Sequence, residues 1–396
     1  MRILRALAAG ATWVVCCAAF PAVLTAASIQ SLNHLSLLDT IAALLDRGRF
    51  FQLDNRGMAI SPPIWTALYT GYPPHDNGVG GFTEWHFRGT TSIVAFLPRF
   101  GVHPVWMIDM LLEQFNLFQG WQEIEASTRR IKKPPIWTIA SASGRRVGIF
   151  SPVPYAMAGE RVNGFFVWPG PDDDFNVSRQ ESVGHATQAV VPLPPEGVAA
   201  AGIIDAEERT RVETAMRLFA ESKPDLGVYY THFVDSLSHY NWDFRFPAGW
   251  CGGDPAGTLD ARFDTTSIAR AYLQADAEVL DLIAAFGPST VILVSDHGWD
   301  FNDYEHFLSP NGVLVVANTG AQGYGGVVDL LSVAPTILSL LGVPVAADMQ
   351  AVIGDLTAGA RTADYRGLHQ DFIPDKSPLD PNQLELLRSI GYLRGR

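Results

Sequence analysis

The sequence predicts an α/β fold in which a mainly parallel sheet is covered by helices on both faces. Short apolar runs suit buried strands at residues 146–151, 225–233, 289–296 and 312–318. Segments with a helical apolar stripe alternate with these runs, at residues 36–50, 206–222, 265–286 and 330–342. This alternation is typical of parallel strands that are buried on both sides by crossover helices.

The composition excludes some classes of protein. The 396 residues are 47% hydrophobic, which is enough to bury a large core. Twenty-eight Lys and Arg against 41 Asp and Glu give a net charge of −13. Such a surface repels a phosphate backbone, so we expect no binding to nucleic-acid polymers. The three cysteines, Cys16, Cys17 and Cys251, form no CxxC pair, so any metal has to be bound by histidine and carboxylate.

The N-terminus allows three interpretations. Arg2 and Arg5 precede an uncharged run over residues 6–27 that ends in small residues, as in a secretory signal. The run is also long enough for a membrane anchor. Alternatively, residues 14–19 suit a buried strand at the centre of a parallel sheet. The first two interpretations predict an exported (periplasmic or extracellular) or membrane-anchored protein, and the third fits a cytoplasmic one.

The segment SPPIWTALYTGYPPHDNGV, residues 61–79, predicts a short helix. Its two prolines suit the start of a helix, and Gly71 suits its end. We therefore expect Thr66 in the first turn, where a hydroxyl is close to the positive end of the helix dipole. Asn77 precedes Gly78, which suits either a turn or a donor to a phosphate oxygen.

Aspartate and histidine occur together at the ends of two predicted strands. Asp235 and His239 are four residues apart after the strand at 225–233, a spacing that places them on one face of a helical turn. Asp296 and His297 are adjacent at the end of the next apolar strand, and His306 follows nine residues later. Ligands of open α/β sheets bind at the carboxyl edge, so the spacing suits a metal site there, with hydrogen-bonded structural pairs as the alternative.

These motifs together resemble the type I phosphodiesterase/nucleotide pyrophosphatase family of the alkaline phosphatase superfamily. The resemblance includes the Ser-Pro-x-x-Trp segment, the DxxxH and SDHG motifs and a His-x-x-x-Pro-x-Gly element that begins at His306. It continues in co-linear stretches at residues 136–165, 329–349 and 384–393, and it covers residues 36–165 and 225–396.

The resemblance implies an alkaline-phosphatase-like α/β sandwich with a small cap insertion. Residues 1–27 would be a signal-like or anchor segment or an eroded first strand, and residues 28–165 the core with the nucleophile segment. Residues 166–225 would be the cap-like insertion with a lead-in helix, and residues 226–396 the core with the metal ligands.

The resemblance also implies an activity: metal-dependent hydrolysis of phosphodiesters or nucleotide pyrophosphates through a phosphothreonine at Thr66. The substrate would be a small phosphate ester. One divalent metal would be bound by Asp235, His239 and His306, the second by Asp296, His297 and Thr66, and Asn77 would contact the substrate phosphate. Zinc is the expected metal, with manganese or iron as alternatives. Competing functions are a phosphomonoesterase or phosphonate hydrolase on the same scaffold, and a catalytically impaired ligand-binding relative.

The catalytically impaired, ligand-binding alternative is suggested by a departure from the family pattern. Family members begin with an apolar strand that ends in Asp-Gly, and this aspartate binds the second metal. The nearest stretch here is AAGATW, residues 8–13, where Ala9 stands in place of the aspartate. Asp39 and Asp54 follow, but neither ends an apolar strand.

Overall fold

The computed structural model describes residues 12–17, 39–58, 60–81, 83–87, 93–94, 121–125, 131–153, 162–169, 175–180, 186–191, 200–231, 233–235, 267–298, 311–354, 356, 362–365 and 368. These residues form the following elements in chain order: β1 (Thr12–Cys17), α1 (Asp39–Asp46), β2 (Gly48–Asp54), α2 (Ser61–Thr70), α3 (Pro74–Asn77), β3 (Thr83–Phe87), β4 (Ile93–Val94), β5 (Trp121–Glu125), α4 (Ile136–Ala142), β6 (Val147–Phe150), β7 (Gly164–Pro169), β8 (Phe175–Gln180), β9 (Ala186–Val191), α5 (Ala200–Ser222), β10 (Leu226–Thr231), α6 (Ser267–Phe286), β11 (Thr290–Ser295), β12 (Asn311–Ala317), β13 (Gly323–Asp329), α7 (Val333–Leu340), β14 (Val345–Ala346) and β15 (Thr362–Ala363).

Most of these strands form one sheet. In the described part of the chain it has ten strands in the order β13-β2-β12-β11-β1-β10-β6-β7-β8-β9. The central strands, from β11 to β7, are parallel to one another, which confirms the predicted parallel centre. β12 runs antiparallel to both β11 and β2. Consequently β2 runs in the same direction as the central strands, and its carboxyl end lies at the same edge as theirs.

Helices cover both faces of this sheet. On one face, α2, α4 and α7 bury a core that includes Trp65, Tyr69 and Trp137, and the rings of Tyr69 and Trp137 are 4.9 Å apart. On the other face, α1, α5 and α6 bury a second core that includes Phe219 and Leu282. Each such buried side chain contributes roughly 1.5–3 kcal/mol. The predicted α/β sandwich is therefore confirmed.

The first predicted helix ends earlier than expected. Its described part is Asp39–Asp46, and the chain enters β2 at Gly48, within the range 36–50 that was predicted to be helical. A Cβ atom at Gly48 would lie 2.7 Å from the backbone oxygen of Leu44, so glycine is required for this abrupt change from helix to strand. β2 pairs with β12 and β13, far along the sequence. Its identity therefore depends on tertiary pairing more than on local propensity.

The described residues of the segment 166–225, for which the cap-like insertion stays a prediction, lie in the sheet and in one helical layer. Within its described residues, β8 and β9 extend the sheet antiparallel from β7. Helix α5 follows; it is longer than the predicted helix at 206–222, and it packs with α6 on one face.

Residues near the N-terminus occupy the centre of the sheet. β1 lies between β10 and β11 and is parallel to both. The structure therefore supports the strand interpretation of this segment, whereas export or anchoring by residues 6–27 stays a prediction. The stretch AAGATW leads into this strand instead of following it, and Ala9 is outside the described residues. None of the helices described has the length and apolarity needed to cross a membrane.

Candidate active site

The carboxyl edge of the sheet collects the acidic residues that the sequence singled out. β10 ends at Thr231 and β11 ends at Ser295, and β1 lies between them in parallel register. Asp296 directly follows β11, and Asp235 lies in a short helical turn after β10. Because parallel strands end at one edge, both carboxylates belong to the same edge, and both are buried.

Helix α2 brings a serine to the site. The helix begins at Ser61, after Ile60 in an extended conformation with φ −125° and ψ 141°. Prolines occupy its first positions, where a missing N–H costs little because no helical acceptor is available there. Gly71, with φ 75°, ends the helix as predicted. Ser61 is thus at the N-terminal end of a ten-residue helix, and its side chain is buried.

Three polar atoms converge at this end of the helix. Ser61 Oγ lies 3.3 Å from His297 Nε2, and the same nitrogen lies 3.4 Å from Asp296 Oδ2. The imidazole and the carboxylate are both 0% exposed. His297 Nδ1 lies 3.1 Å from the backbone oxygen of Gly298. Because a carbonyl oxygen only accepts hydrogen bonds, Nδ1 is the donor there; in the neutral form of the ring the lone pair is then on Nε2, which faces Ser61 and Asp296.

This geometry differs from a Ser-His-Asp triad. In a triad the carboxylate and the hydroxyl face opposite ring nitrogens, so that the imidazole can pass a proton from one side while held from the other. Here Ser61 and Asp296 face the same nitrogen of His297, whose lone pair cannot donate to either of them. The site therefore presents imidazole nitrogen, carboxylate oxygen and hydroxyl oxygen to one small region.

Such a set of donors fits a divalent metal. Zinc and related metals are bound by imidazole nitrogen and carboxylate oxygen, and a metal-binding histidine usually donates its other N–H to a carbonyl or carboxylate, as His297 does to Gly298. A buried carboxylate also needs a positive charge or hydrogen-bond donors close by. Asp296 and His297 would hold such a metal, with Ser61 beside them.

Two other predicted site residues bond to backbone groups close by. Thr66 lies in the second turn of α2, not in the first as expected, and its hydroxyl donates to Pro62 O at 2.7 Å. Asn77 Nδ2 donates to Tyr72 O at 2.8 Å, and its Oδ1 accepts from Val79 N at 2.9 Å. Both side chains are fully buried, and these bonds stabilise the helix and the turn that contain them.

The structure thus brings Asp296 and His297 together and places Asp235 at the same edge. The predicted ligands His239 and His306 lie outside the described residues. Among the residues described, no three His, Cys, Asp or Glu side chains gather closely enough to share a metal.

Sequence reasoning missed two residues of this site, Ser61 and Asn55. The signal for Ser61 was present, because it directly precedes the two prolines that begin the predicted helix. Asn55 follows β2, is fully buried, and donates from Nδ2 to the backbone oxygen of Asp296. No local pattern indicated Asn55, since β2 reaches this edge only through its pairing with β12.

A buried polar network supports the end of β10. Glu208 Oε1 accepts hydrogen bonds from Tyr229 at 2.9 Å and from Thr231 Oγ1 at 2.5 Å, and its Oε2 lies 3.3 Å from Arg211 Nε. The Thr231 hydroxyl oxygen also accepts a hydrogen bond from Phe233 N at 3.1 Å, and Phe233 lies in the helical turn that carries Asp235. Burial, followed by the charge of Glu208, raises the pKa of Tyr229 well above its ordinary value.

Solved structures share this fold. A putative sulfatase from Bacteroides thetaiotaomicron has a TM-score of 0.53 at 12% identity, over 90% of this chain and 76% of its own. A sulfatase from Pseudoalteromonas sp. has a TM-score of 0.53 at 12% identity, over 92% and 75%. A phosphonoacetate hydrolase from Sinorhizobium meliloti has a TM-score of 0.40 at 13% identity, over 74% and 57%. At such identities the likeness of the two sulfatases concerns the fold.

The sandwich and the buried residues at its carboxyl edge fit the class of phosphoric ester hydrolases. Within that class the sequence is more specific. Residues 24–336 match the family described as type I phosphodiesterase / nucleotide pyrophosphatase, and the chain belongs to this family of phosphoric ester hydrolases. No curated protein matches the sequence significantly.

Proposed function

We propose that the protein hydrolyses phosphate diesters or nucleotide pyrophosphate bonds, with Ser61 as the nucleophile. The observation that carries this proposal is the contact between Ser61 Oγ and His297 Nε2 at 3.3 Å, beside Asp296. Ser61 takes the role that the resemblance gave to Thr66, because the Thr66 hydroxyl donates within its own helix. The intermediate would then be a phosphoserine in place of a phosphothreonine.

The chain's own residues would prepare this reaction. Asp296 and His297 would hold one metal beside the hydroxyl, and Asp235, with His239 and His306, the other. Zinc is the expected metal, with manganese or iron as alternatives. Bound there, a divalent cation lowers the pKa of a hydroxyl and balances the negative charge that develops during phosphoryl transfer.

Helix α2 adds a positive electrostatic potential to that of the metal cations. Its dipole places partial positive charge at Ser61, where the phosphate of a substrate would bind. Pro62 and Pro63 carry no N–H, so this end of the helix offers fewer hydrogen-bond donors than an ordinary helix start. The attraction therefore comes mainly from the dipole, which makes the neighbouring cations more important for substrate binding.

The reaction would have two covalent steps, formation of the phosphoserine and its hydrolysis. Ser61 Oγ gives its proton to solvent and attacks phosphorus, the bond from phosphorus to the leaving oxygen breaks, and the leaving group departs with its electron pair and takes up a proton from solvent. Water then attacks the phosphoserine, the bond from phosphorus to Oγ breaks, and a proton restores the Ser61 hydroxyl. The products are a phosphate monoester and an alcohol, or two nucleotide phosphates from a pyrophosphate.

The two hydroxyls can be separated by mutation. Ser61→Ala should lower turnover of bis(p-nitrophenyl) phosphate by at least about a thousand-fold, because no other group can form the phosphoenzyme. Thr66→Val keeps the volume and removes the hydroxyl, and it should change turnover by less than about tenfold since only a helix-internal hydrogen bond is lost. Acid quenching during turnover, followed by peptide mass spectrometry, should locate a phosphoryl group on Ser61.

The opposite pattern would refute this assignment: an active Ser61→Ala variant together with an inactive Thr66→Val variant. The same assay distinguishes the competing functions. A higher kcat/KM for p-nitrophenyl phosphate or for a phosphonate would indicate the monoesterase or the phosphonate hydrolase, and p-nitrophenyl sulfate serves as the sulfatase control. Wild-type protein that binds metal and phosphate without any turnover would be the impaired relative.

A further inference from the structure

Asn55 carries a buried amide oxygen for which the described residues supply no hydrogen-bond partner. The side chain is 0% exposed. Its Nδ2 donates to the backbone oxygen of Asp296, whereas Oδ1 of the same planar amide accepts no hydrogen bond from the described residues. A buried acceptor without a hydrogen bond destabilises the folded chain. This oxygen is therefore available to a cation bound beside Asp296.

The turn after β2 holds Asn55 in place independently of its side chain. Arg56 N donates to Asp54 Oδ1 at 2.8 Å, and Met58 N donates to Asn55 O at 3.0 Å. The guanidinium of Arg56 pairs with Asp329 Oδ2 at 2.9 Å. Arg56 also has a φ of 55°, which a non-glycine residue adopts only when its surroundings impose it. The amide is thus fixed beside Asp296 before any ligand binds.

The close approach of these segments depends on Gly312. A Cβ atom at Gly312 would overlap the backbone oxygen of Ser295 and would lie 2.9 Å from that of Asp296. β12 lies between β2 and β11, and the glycine at its second position places no Cβ atom against the backbone at the end of β11. The glycine of the His-x-x-x-Pro-x-Gly element therefore has a structural purpose in this site.

A carboxylate from the first strand cannot fill this place. The sequence contains no Asp or Glu before Asp39, so neither β1 nor the residues that follow it supply one. Asp39 begins α1 and is exposed. Asp54 ends strand β2, contrary to the expectation from the sequence, but its side chain is exposed and accepts from Arg56 N. Asn55 is a polar side chain in direct contact with Asp296.

We propose that Asn55 Oδ1 is a ligand of the metal that Asp296 and His297 would bind, in place of the missing N-terminal aspartate. This inference rests on the proposed function. Amide oxygens bind hard divalent cations but contribute no negative charge. The resulting site has a lower metal affinity than one with two carboxylates, and replacing Asn55 by aspartate should raise that affinity.

Zinc binding tests the proposal without reference to activity. Equilibrium dialysis with elemental analysis gives the zinc content and the dissociation constants of the wild type, Asn55→Ala and Asn55→Asp. Asn55→Ala should weaken one of two zinc sites by at least about tenfold and leave the other unchanged. Asn55→Asp keeps the shape and adds a charge. It loses the hydrogen bond to the backbone oxygen of Asp296, so the metal-free protein should be less stable, but zinc should bind the same site about tenfold more tightly or more.

Asn77 is the matched control. It is also an asparagine at 0% exposure, but both of its amide groups bond to backbone atoms. Asn77→Asp should lower the melting temperature of the metal-free protein and leave both zinc dissociation constants unchanged. If Asn55 has only a structural role, Asn55→Asp will behave in the same way, which overturns the proposal.

The outcomes for the inference and for the proposed function differ. A wild type that binds zinc, with dissociation constants that neither Asn55 variant changes, rejects the ligand role and leaves the hydrolase proposal standing. A wild type that binds no zinc, manganese or iron rejects both. If Asn55→Ala does not fold, as judged by circular dichroism, the isosteric Asn55→Asp decides alone, because a tighter site supports the proposal and an unchanged or weaker one overturns it.

Discussion

Replacing Glu208 by alanine tests how the turn that carries Asp235 is held. The change removes the carboxylate that lies 3.3 Å from Arg211 Nε, in a place where both side chains are less than a tenth exposed. It also removes the acceptor for the hydroxyls of Tyr229 and Thr231. Breaking a buried ion pair from one side costs about 3–5 kcal/mol.

That loss is large compared with the stability of a typical domain, about 5–15 kcal/mol. Part of it is offset because Arg211 Nη2 keeps its hydrogen bond to Tyr230 O at 3.0 Å. We therefore expect the free energy of unfolding of Glu208→Ala to fall by about 3–5 kcal/mol. Urea unfolding, followed by circular dichroism and tryptophan fluorescence, measures the change.

Glu208→Gln is the control for this prediction. It keeps an oxygen that can accept from Tyr229 and Thr231 but removes the charge beside Arg211. Hydrogen bonds to charged groups contribute about 1.5–3 kcal/mol and neutral ones about 0.5–1.5, so the glutamine variant should lose less than the alanine variant. A Glu208→Ala protein within about 1 kcal/mol of the wild type would refute the reasoning, since it would show that the network stabilises little.

Two further predictions concern other parts of the fold. Gly312→Ala should lower the free energy of unfolding by about 1–3 kcal/mol and reduce zinc binding, because the new methyl group overlaps the backbone oxygen of Ser295. The control is Gly80→Ala, whose Cβ would meet no atom within 4 Å. It should change neither quantity in the same dialysis and unfolding assays. Burial, followed by the hydrogen bond to Asp348, raises the pKa of Tyr72. The neutral Tyr72 hydroxyl therefore stabilises the fold fully below the unfolded pKa of about 10, and this stabilisation is lost as pH rises through the folded pKa. Melting temperatures between about pH 9 and 12 should therefore fall more steeply in the wild type than in Tyr72→Phe, and parallel curves would contradict this assignment.

The centre of the fold could be predicted from the sequence because its signals are local. The strands at 147–150, 226–231 and 290–295 are short runs of buried apolar residues, and each coincides with a predicted strand. Both ends of α2 could also be predicted from the sequence. Proline is favoured in the first turn of a helix, and Gly71 ends the helix by adopting a positive φ. These features depend on neighbours within a few positions.

The flanks of the sheet could not be predicted because their strands are defined by distant partners. β2 has the sequence GRFFQLD, and only its pairing with β12 and β13 distinguishes it from the continuation of α1. β13 contains three glycines and a register shift between Tyr324 and Val327, so it carries no strand signal of its own. Asn55 was missed for the same reason, because its approach to Asp296 follows from that pairing.

The candidate nucleophile shows a different limit. Ser61 and Thr66 lie in the same helix, and the resemblance assigned the nucleophile to Thr66 without considering Ser61. Their difference is geometric: a hydroxyl at the first position of a helix is clear of the preceding turn, whereas a threonine further along can donate to the carbonyl four residues before it, as Thr66 does to Pro62. That distinction follows from knowing where the helix begins.

The position of β1 has a consequence for biosynthesis. Thr12 pairs with Leu226 and Thr290, which are 214 and 278 positions later in the chain. At ordinary translation rates, roughly a quarter of a minute to a minute separates the synthesis of this strand from that of its second neighbour. β1 is thus enclosed on both sides only after β11 has been made, and until β10 is made the apolar sequence TWVVCC has neither of its partners. Pairings of such high contact order close slowly, so the nascent chain should depend on chaperones that shield its first strand until β11 has left the ribosome.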